Sequence, residues 1–278
     1  MSRSFRMPAL GIFFSLFPHL FSQNMAPQLI STRMGNTAVY VHERNPAQVP
    51  LLFLHGVYFD HTLWQEVAAR FPDRTTIFID MPLHGASRSG IKPDWTLTDC
   101  AAMVVEVLDS LGIEQVVGVG HSWGSMTLLR AAAAHPEHFS VLALCNMPTE
   151  AATAGRRMAF LFQHSLLGLR RFYEKQAAKA LFGPAEPDQL TRWADTLSRS
   201  ASVLPNRDWR FTDRAVILRA DDARPYLQQL KVPAFALRGE HDYVPDPESL
   251  PLTVVSGGHV SPLEAPEEVV KFLGKILP

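Results

Sequence analysis

The sequence predicts an α/β fold: a mostly parallel sheet with helices on both faces and one inserted helical segment. Three observations carry this. Short apolar, β-prone runs alternate with helical patterns from residue 49 to residue 145, the rhythm of βαβ units. Gly120-His121-Ser122-Trp123-Gly124 lies between one such run and one such helix. At Pro148 the rhythm gives way to a mostly helical stretch, and strand-like sequence returns only at Ala234. The chain has 278 residues, 47% of them hydrophobic and 19% charged, a composition that supports a sizeable core in one domain with an inserted subdomain.

In chain order, residues 29–32 and 37–42 are β-prone and flank Met34-Gly35-Asn36, which predicts a hairpin. Residues 49–54 form a near-continuous apolar run, as a strand buried on both faces requires. Leu63, Trp64, Val67 and Ala68 give residues 62–71 helical spacing, and residues 75–79 are again strand-like before Asp80. Thr96 with Asp99 three residues on is a capping start, and Gly112 a stop, for a helix over 98–111. Residues 115–120 predict a buried strand, 122–134 a helix stopped by Pro136, and 140–145 another strand. Within residues 149–231, Gly183-Pro184, Pro187 and Pro205 punctuate helical sequence. Residues 234–237 and 252–255 are the last strands, and residues 266–277 the last helix. The expected organisation is an N-terminal extension (1–24), a core (25–148 and 232–278) and a helical cap (149–231).

Composition excludes several functions. Basic and acidic residues number 26 and 27, so the clustered cation excess of a nucleic-acid binder is missing. Cys100 and Cys145, the two cysteines, sit in apolar stretches and read as small buried hydrophobes, with neither a disulfide framework nor a cysteine zinc site. No H-E-x-x-H spacing occurs, so no metal is expected. Gly118-x-Gly120 is followed by Trp123 where a dinucleotide fingerprint needs glycine, and no phosphate-cradling G-x-x-x-x-G-K-[ST] is present. Arg3 and Arg6 precede an apolar run over residues 7–21, like the charged and apolar regions of a secretory signal. Pro18 and His19 interrupt that run, no small-residue cleavage site follows, and it is shorter than the ~20 residues of a membrane span. Met25 is an alternative start, so the expected location is cytoplasmic, or secreted or periplasmic if residues 1–24 act as a signal.

The serine motif carries the chemistry. A sharp strand-to-helix turn lifts its hydroxyl above the sheet and leaves room only for small residues two positions either side, which Gly120 and Gly124 satisfy. Serine is a weak nucleophile unless a base takes its proton and an acid orients that base. Gly239-Glu240-His241-Asp242 and Gly257-Gly258-His259 each follow a predicted strand, at the sheet end where α/β proteins place ligands.

These motifs identify the sequence as resembling the α/β-hydrolases, of the cap-bearing ester and lactone hydrolase type. The resemblance runs from Leu29 onward and rests on His55-Gly56, the segment from Val57 to Trp64, Asp80-Met81-Pro82-Leu83-His84-Gly85-Ala86-Ser87, the serine elbow, and Gly258-His259 with Pro262-Leu263-Glu264-Ala265-Pro266-Glu267. It implies an α/β-hydrolase fold with Ser122 as nucleophile, His259 as base then acid, and Asp242 as the orienting carboxylate. It further implies an oxyanion hole from the backbone N–H groups of Val57 and Trp123, no cofactor, and a small-molecule acyl substrate. Phe160 and Trp193 are the candidate substrate contacts in the cap. Carbon–carbon bond hydrolysis, cofactor-free haloperoxidase-like chemistry and a non-catalytic ligand receptor are the alternatives on the same scaffold. Two departures stand out: Leu83 replaces a common glycine, and residues 243–251 are too short for the usual crossover helix.

Overall fold

The computed structural model describes residues 26–91, 94–165 and 167–278. The predicted extension, residues 1–24, lies outside them.

The sheet follows the apolar pattern closely. Its strands are β1 (Gln28–Thr32), β2 (Gly35–His42), β3 (Leu51–Leu54), β4 (Thr76–Ile79), β5 (Val116–His121), β6 (Phe139–Cys145), β7 (Ala234–Gly239) and β8 (Leu252–Val255). They lie in the order β1-β2-β4-β3-β5-β6-β7-β8. The β1/β2 hairpin is antiparallel and β2 pairs antiparallel with β4, whereas every later pair is parallel. All four residues of β3 and of β4 are buried, as expected of strands covered on both faces. The fold is that of an α/β-hydrolase.

Helices cover the sheet where the sequence signals them. Residues 61–68 form a 3₁₀ turn (His61–Trp64) running into one α-turn, α1 (Gln65–Ala68), shorter than the helix expected over 62–71. Helix α2 (Leu97–Leu111) begins with both bonds of the Thr96/Asp99 capping box and ends on Gly112 at φ 66°, the left-handed stop that favours glycine. Helix α3 (Trp123–Ala134) is buried along most of its length. Between β6 and β7 the chain passes through α4 (Ala154–Ser165), α5 (Arg170–Leu181), α6 (Pro187–Ser202), α7 (Asn206–Asp213) and α8 (Arg224–Gln229). The chain closes with α9 (Ser261–Glu264) and α10 (Pro266–Ile276). Among the described residues no helix is long and apolar enough to cross a membrane.

The two departures have physical outcomes. Leu83 sits at φ 70° and is buried, so the leucine occupies a left-handed backbone position that glycine fills without strain. The connection from β7 to β8 contains no helix. Its first residues are instead tied to the β8 end, Glu240 N donating to Val255 O (2.8 Å) and His241 N to Gly257 O (3.0 Å), while Asp242 N closes a turn on Gly239 O at the end of β7 (3.1 Å). The short crossover therefore leaves the Asp242 turn anchored.

Candidate active site

Ser122 occupies the turn between β5 and α3 at φ 50° and ψ −108°. For a residue with a side chain, such backbone costs about 1–3 kcal/mol and persists only where its surroundings enforce it. Here Ser122 N donates to Cys145 O (2.9 Å) and Met126 N donates to Ser122 O (3.0 Å). The flanking glycines are required by contact. A Cβ on Gly120 would lie 2.4 Å from Ser125 N, and one on Gly124 2.3 Å from Leu54 O.

Ser122, His259 and Asp242 form one hydrogen-bonded row. His259 Nε2 is 3.0 Å from Ser122 Oγ, and His259 Nδ1 is 2.8 Å from Asp242 Oδ1. Asn146, at φ 51° just beyond β6, donates through Nδ2 to Asp242 Oδ2 (2.8 Å), and Val244 N donates to Oδ1 (3.1 Å). Burial opposes ionisation of Asp242, but the hydrogen bond and electrostatic attraction of the His259 ring, with the hydrogen bonds from Asn146 and Val244, outweigh it and hold the carboxyl below the usual range. An ionised Asp242 can only accept, so Nδ1 carries the proton and Nε2 presents its lone pair to the serine hydroxyl. Glu150, the first carboxylate after β6 in the chain, is exposed and 3.8 Å from Arg224, outside this row.

The loop bearing His259 is fixed by Glu264, whose role the sequence motif did not reveal. Its Oε1 accepts from Gly183 N (2.7 Å) and Gly258 N (2.8 Å), and its Oε2 from Val260 N (2.8 Å). One carboxylate thus holds the residues on both sides of His259 together with the end of α5. His259 N also donates to Leu181 O (2.6 Å). Replacing Glu264 with Gln leaves one acceptor oxygen for three N–H groups and turns an NH₂ toward the others. Glu264→Gln is expected to cost about 1–3 kcal/mol in urea unfolding and to lower kcat about tenfold. Wild-type values of both would remove Glu264 from this role.

The Val57 and Trp123 N–H groups meet no protein acceptor among the described residues. Gly56 packs against the serine: a Cβ there would lie 3.4 Å from Ser122 Cβ and 2.4 Å from His121 Nδ1. Trp123 opens a helix, where free N–H groups and the helix dipole favour negative charge.

Three buried histidines scaffold this turn. His55 accepts from Met81 N at Nε2 (2.9 Å) and donates from Nδ1 to Gly56 O (2.7 Å). His84 accepts from Tyr58 N (3.1 Å) and donates to Pro82 O (3.0 Å), while His121 Nε2 donates to His259 O (2.7 Å). At His55 and His84 a second ring proton would face an N–H donor, so the neutral form fits. Burial is the main cause of the lowered pKa values, about 3 for both His84 and His121 and below the ordinary value for His55. Between that value and the ordinary 6.5, the unfolded chain binds protons that the folded protein does not, so stability falls as pH falls. His84 and His121 together should cost about 4 kcal/mol between pH 7 and pH 5, at ~1.4 kcal/mol per pH unit each below 6.5. Urea unfolding at pH 7, 6 and 5 measures this, and a flat profile would contradict it.

The helical segment meets the site at three points. Leu181 and Gly183 hold the His259 loop, as above. Arg156 of α4 lies over the Tyr243 ring (5.9 Å), and that ring stacks on His259 (4.6 Å). Asp213, at the end of α7 and fully buried, accepts from Tyr58 Oη (2.6 Å) and bonds His164 Nε2 (2.8 Å). Of the two predicted substrate contacts, Phe160 is half-buried with its ring edge against His164 (6.3 Å). Trp193 packs on Phe182 (5.6 Å) and borders a crevice with Glu66, Arg199 and Leu263. The Trp193 contacts thus lead to the segment that holds His259 rather than to Ser122.

A mostly parallel sheet with a serine at its central strand-to-helix turn, facing a histidine and a carboxylate, defines a hydrolase enzyme of the α/β type. Residues 51–272 match the model of the Alpha/beta hydrolase family, and the chain belongs to that family. It is 28% identical over 258 residues to a 2-succinyl-6-hydroxy-2,4-cyclohexadiene-1-carboxylate synthase of Serratia proteamaculans, covering 86% of this chain and 98% of that one. It is 26% identical over 257 residues to an uncharacterized carboxylesterase of Bacillus subtilis, covering 89% and 80%. A shorter match, 32% identical over 114 residues, covers 42% of an uncharacterized hydrolase of Bacillus subtilis. Among solved structures, the enol-lactonase of Burkholderia xenovorans superposes with a TM-score of 0.71 at 19% identity, covering 86% of this chain and 96% of that one.

Proposed function

We propose that the protein is a serine hydrolase that cleaves a carboxylic ester or lactone through an acyl-enzyme. The observation that carries this reading is the unbroken row from Ser122 Oγ through His259 to Asp242, at 3.0 and 2.8 Å. His259 Nε2 takes the hydroxyl proton as Ser122 Oγ bonds to the acyl carbon, and the carbonyl oxygen becomes an oxyanion. The Val57 and Trp123 N–H groups stabilise that charge, each worth about 3 kcal/mol. The imidazolium then gives its proton to the leaving alkoxide as the ester bond breaks. Water, deprotonated by His259, attacks the acyl carbon, and the acid leaves as Oγ regains its proton. Residues 149–231 act as a cap that shapes the acyl pocket. The Bacillus carboxylesterase and the Burkholderia enol-lactonase support an ester-type substrate. The Serratia synthase keeps a non-hydrolytic reaction as a second reading.

A panel of acyl esters, lactones and thioesters of increasing chain length, run beside a serine-directed phosphonate probe, tests this. Expected are hydrolysis of at least one ester or lactone class and a covalent adduct on the Ser122 peptide. A protein that neither turns over the panel nor takes the probe would overturn the reading.

A further inference from the structure

We propose that the outer face of α4 and the start of α5 form a docking surface for an anionic lipid layer. Met158, Leu161 and Phe162 on α4, Leu169 in the turn before α5 and Phe172 in its first turn have 52–67% of their surface exposed. The other large exposed apolar side chains of the described residues are scattered singly from Leu29 to Val254, the ordinary pattern for a soluble surface. Met158, Leu161 and Phe162 are spaced i, i+3, i+4, so they make one stripe of α4. Phe160 and His164, also four apart, make the opposite stripe, half-buried and joined to the protein through Asp213. The helix therefore keeps its anchoring face inward and turns a second apolar crest to solvent.

Charge selects the occupant. Residues 154–181 contain six cations, Arg156, Arg157, Arg170, Arg171, Lys175 and Lys179, and one anion, Glu174. That stretch is +5 in a chain whose formal charge is −1, leaving −6 elsewhere. Arg157, Arg171, Lys175 and Lys179 are exposed and make no ion pair with a described residue. An apolar crest flanked by long cationic side chains suits a lipid interface: the crest enters the acyl boundary while the cations meet headgroup phosphates. Two other occupants fit less well. A second copy docked through the same face would set its exposed cations against one another. Residues 1–24 carry Arg3 and Arg6 with no acid, so they too lack complementary charge.

Co-sedimentation of the full chain with vesicles tests the surface without reference to turnover. Vesicles of phosphatidylcholine with roughly one-third phosphatidylglycerol are expected to bind at least about tenfold more tightly than phosphatidylcholine alone, with binding lost near 0.5 M salt. Two double variants, Met158→Ser with Phe162→Ser and Arg157→Glu with Arg171→Glu, should each weaken binding about tenfold or more. Thermal unfolding should be unchanged in both, because all four side chains are exposed. Failure of the wild type to bind would overturn the proposal. So would binding that survives both variants and disappears when residues 1–24 are removed, or a solution dimer that the Met158→Ser, Phe162→Ser change dissociates.

Discussion

Ser122→Ala is expected to leave a folded protein whose turnover is at least ~10³-fold lower. The change removes one oxygen and keeps the Cβ, so the elbow at φ 50° bears the same backbone cost as before. The bonds that hold the turn, from Ser122 N to Cys145 O and from Met126 N to Ser122 O, are main-chain and survive. His259 loses one of its partners and keeps its bond to Asp242. Steady-state kinetics on whichever ester the panel identifies, beside urea unfolding, would check both halves. Retention of more than about a tenth of the activity would exclude an acyl-enzyme on Ser122.

Asp242→Asn should lower turnover by up to ~10⁴-fold. The amide can offer its NH₂ toward His259 Nδ1, which favours the tautomer with its proton on Nε2, pointing at the serine instead of accepting from it. It also cannot stabilise the imidazolium by charge. Asn146 Nδ2 and Val244 N currently donate to this carboxylate, so a misoriented amide would also strand one of those donors at a cost of about 1–3 kcal/mol in stability. Glu150→Gln, at an exposed residue beside Arg224, should change turnover less than about tenfold. Comparing the two variants at saturating substrate decides the matter, and the reverse ranking would move the acid to Glu150.

The sheet was legible because its strands are short apolar runs bounded by turn residues, so each of the eight appears close to where the pattern puts it. The 61–68 segment was less so. Leu63, Trp64, Val67 and Ala68 are all buried and give a helical spacing, but spacing alone does not distinguish a 3₁₀ turn plus one α-turn from a longer helix. Ser122, Asp242 and His259 were legible from local motifs at strand ends. Glu264 was not, because its contribution depends on Gly183, which lies 81 positions away in sequence. Asn146 gave no local signal, since a donor to another side chain leaves no mark on its own neighbours. Tyr58 and Asp213, 155 positions apart, are likewise joined only by the folded chain. The contacts of Trp193 could not be foreseen either, as helical aromatics carry no signal of which side of the insertion they will face.

The shared carboxylate of Glu264 makes the position of the inserted helices and the readiness of the base a single variable. Moving α5 outward withdraws Gly183 N from Oε1 and Leu181 O from His259 N, so an opened molecule is also one whose imidazole has lost two of its supports. Linkage runs the same relation backward: a ligand that binds best when Ser122, His259 and Asp242 are in register also draws the insertion shut, by the same free energy with which closure improves its binding.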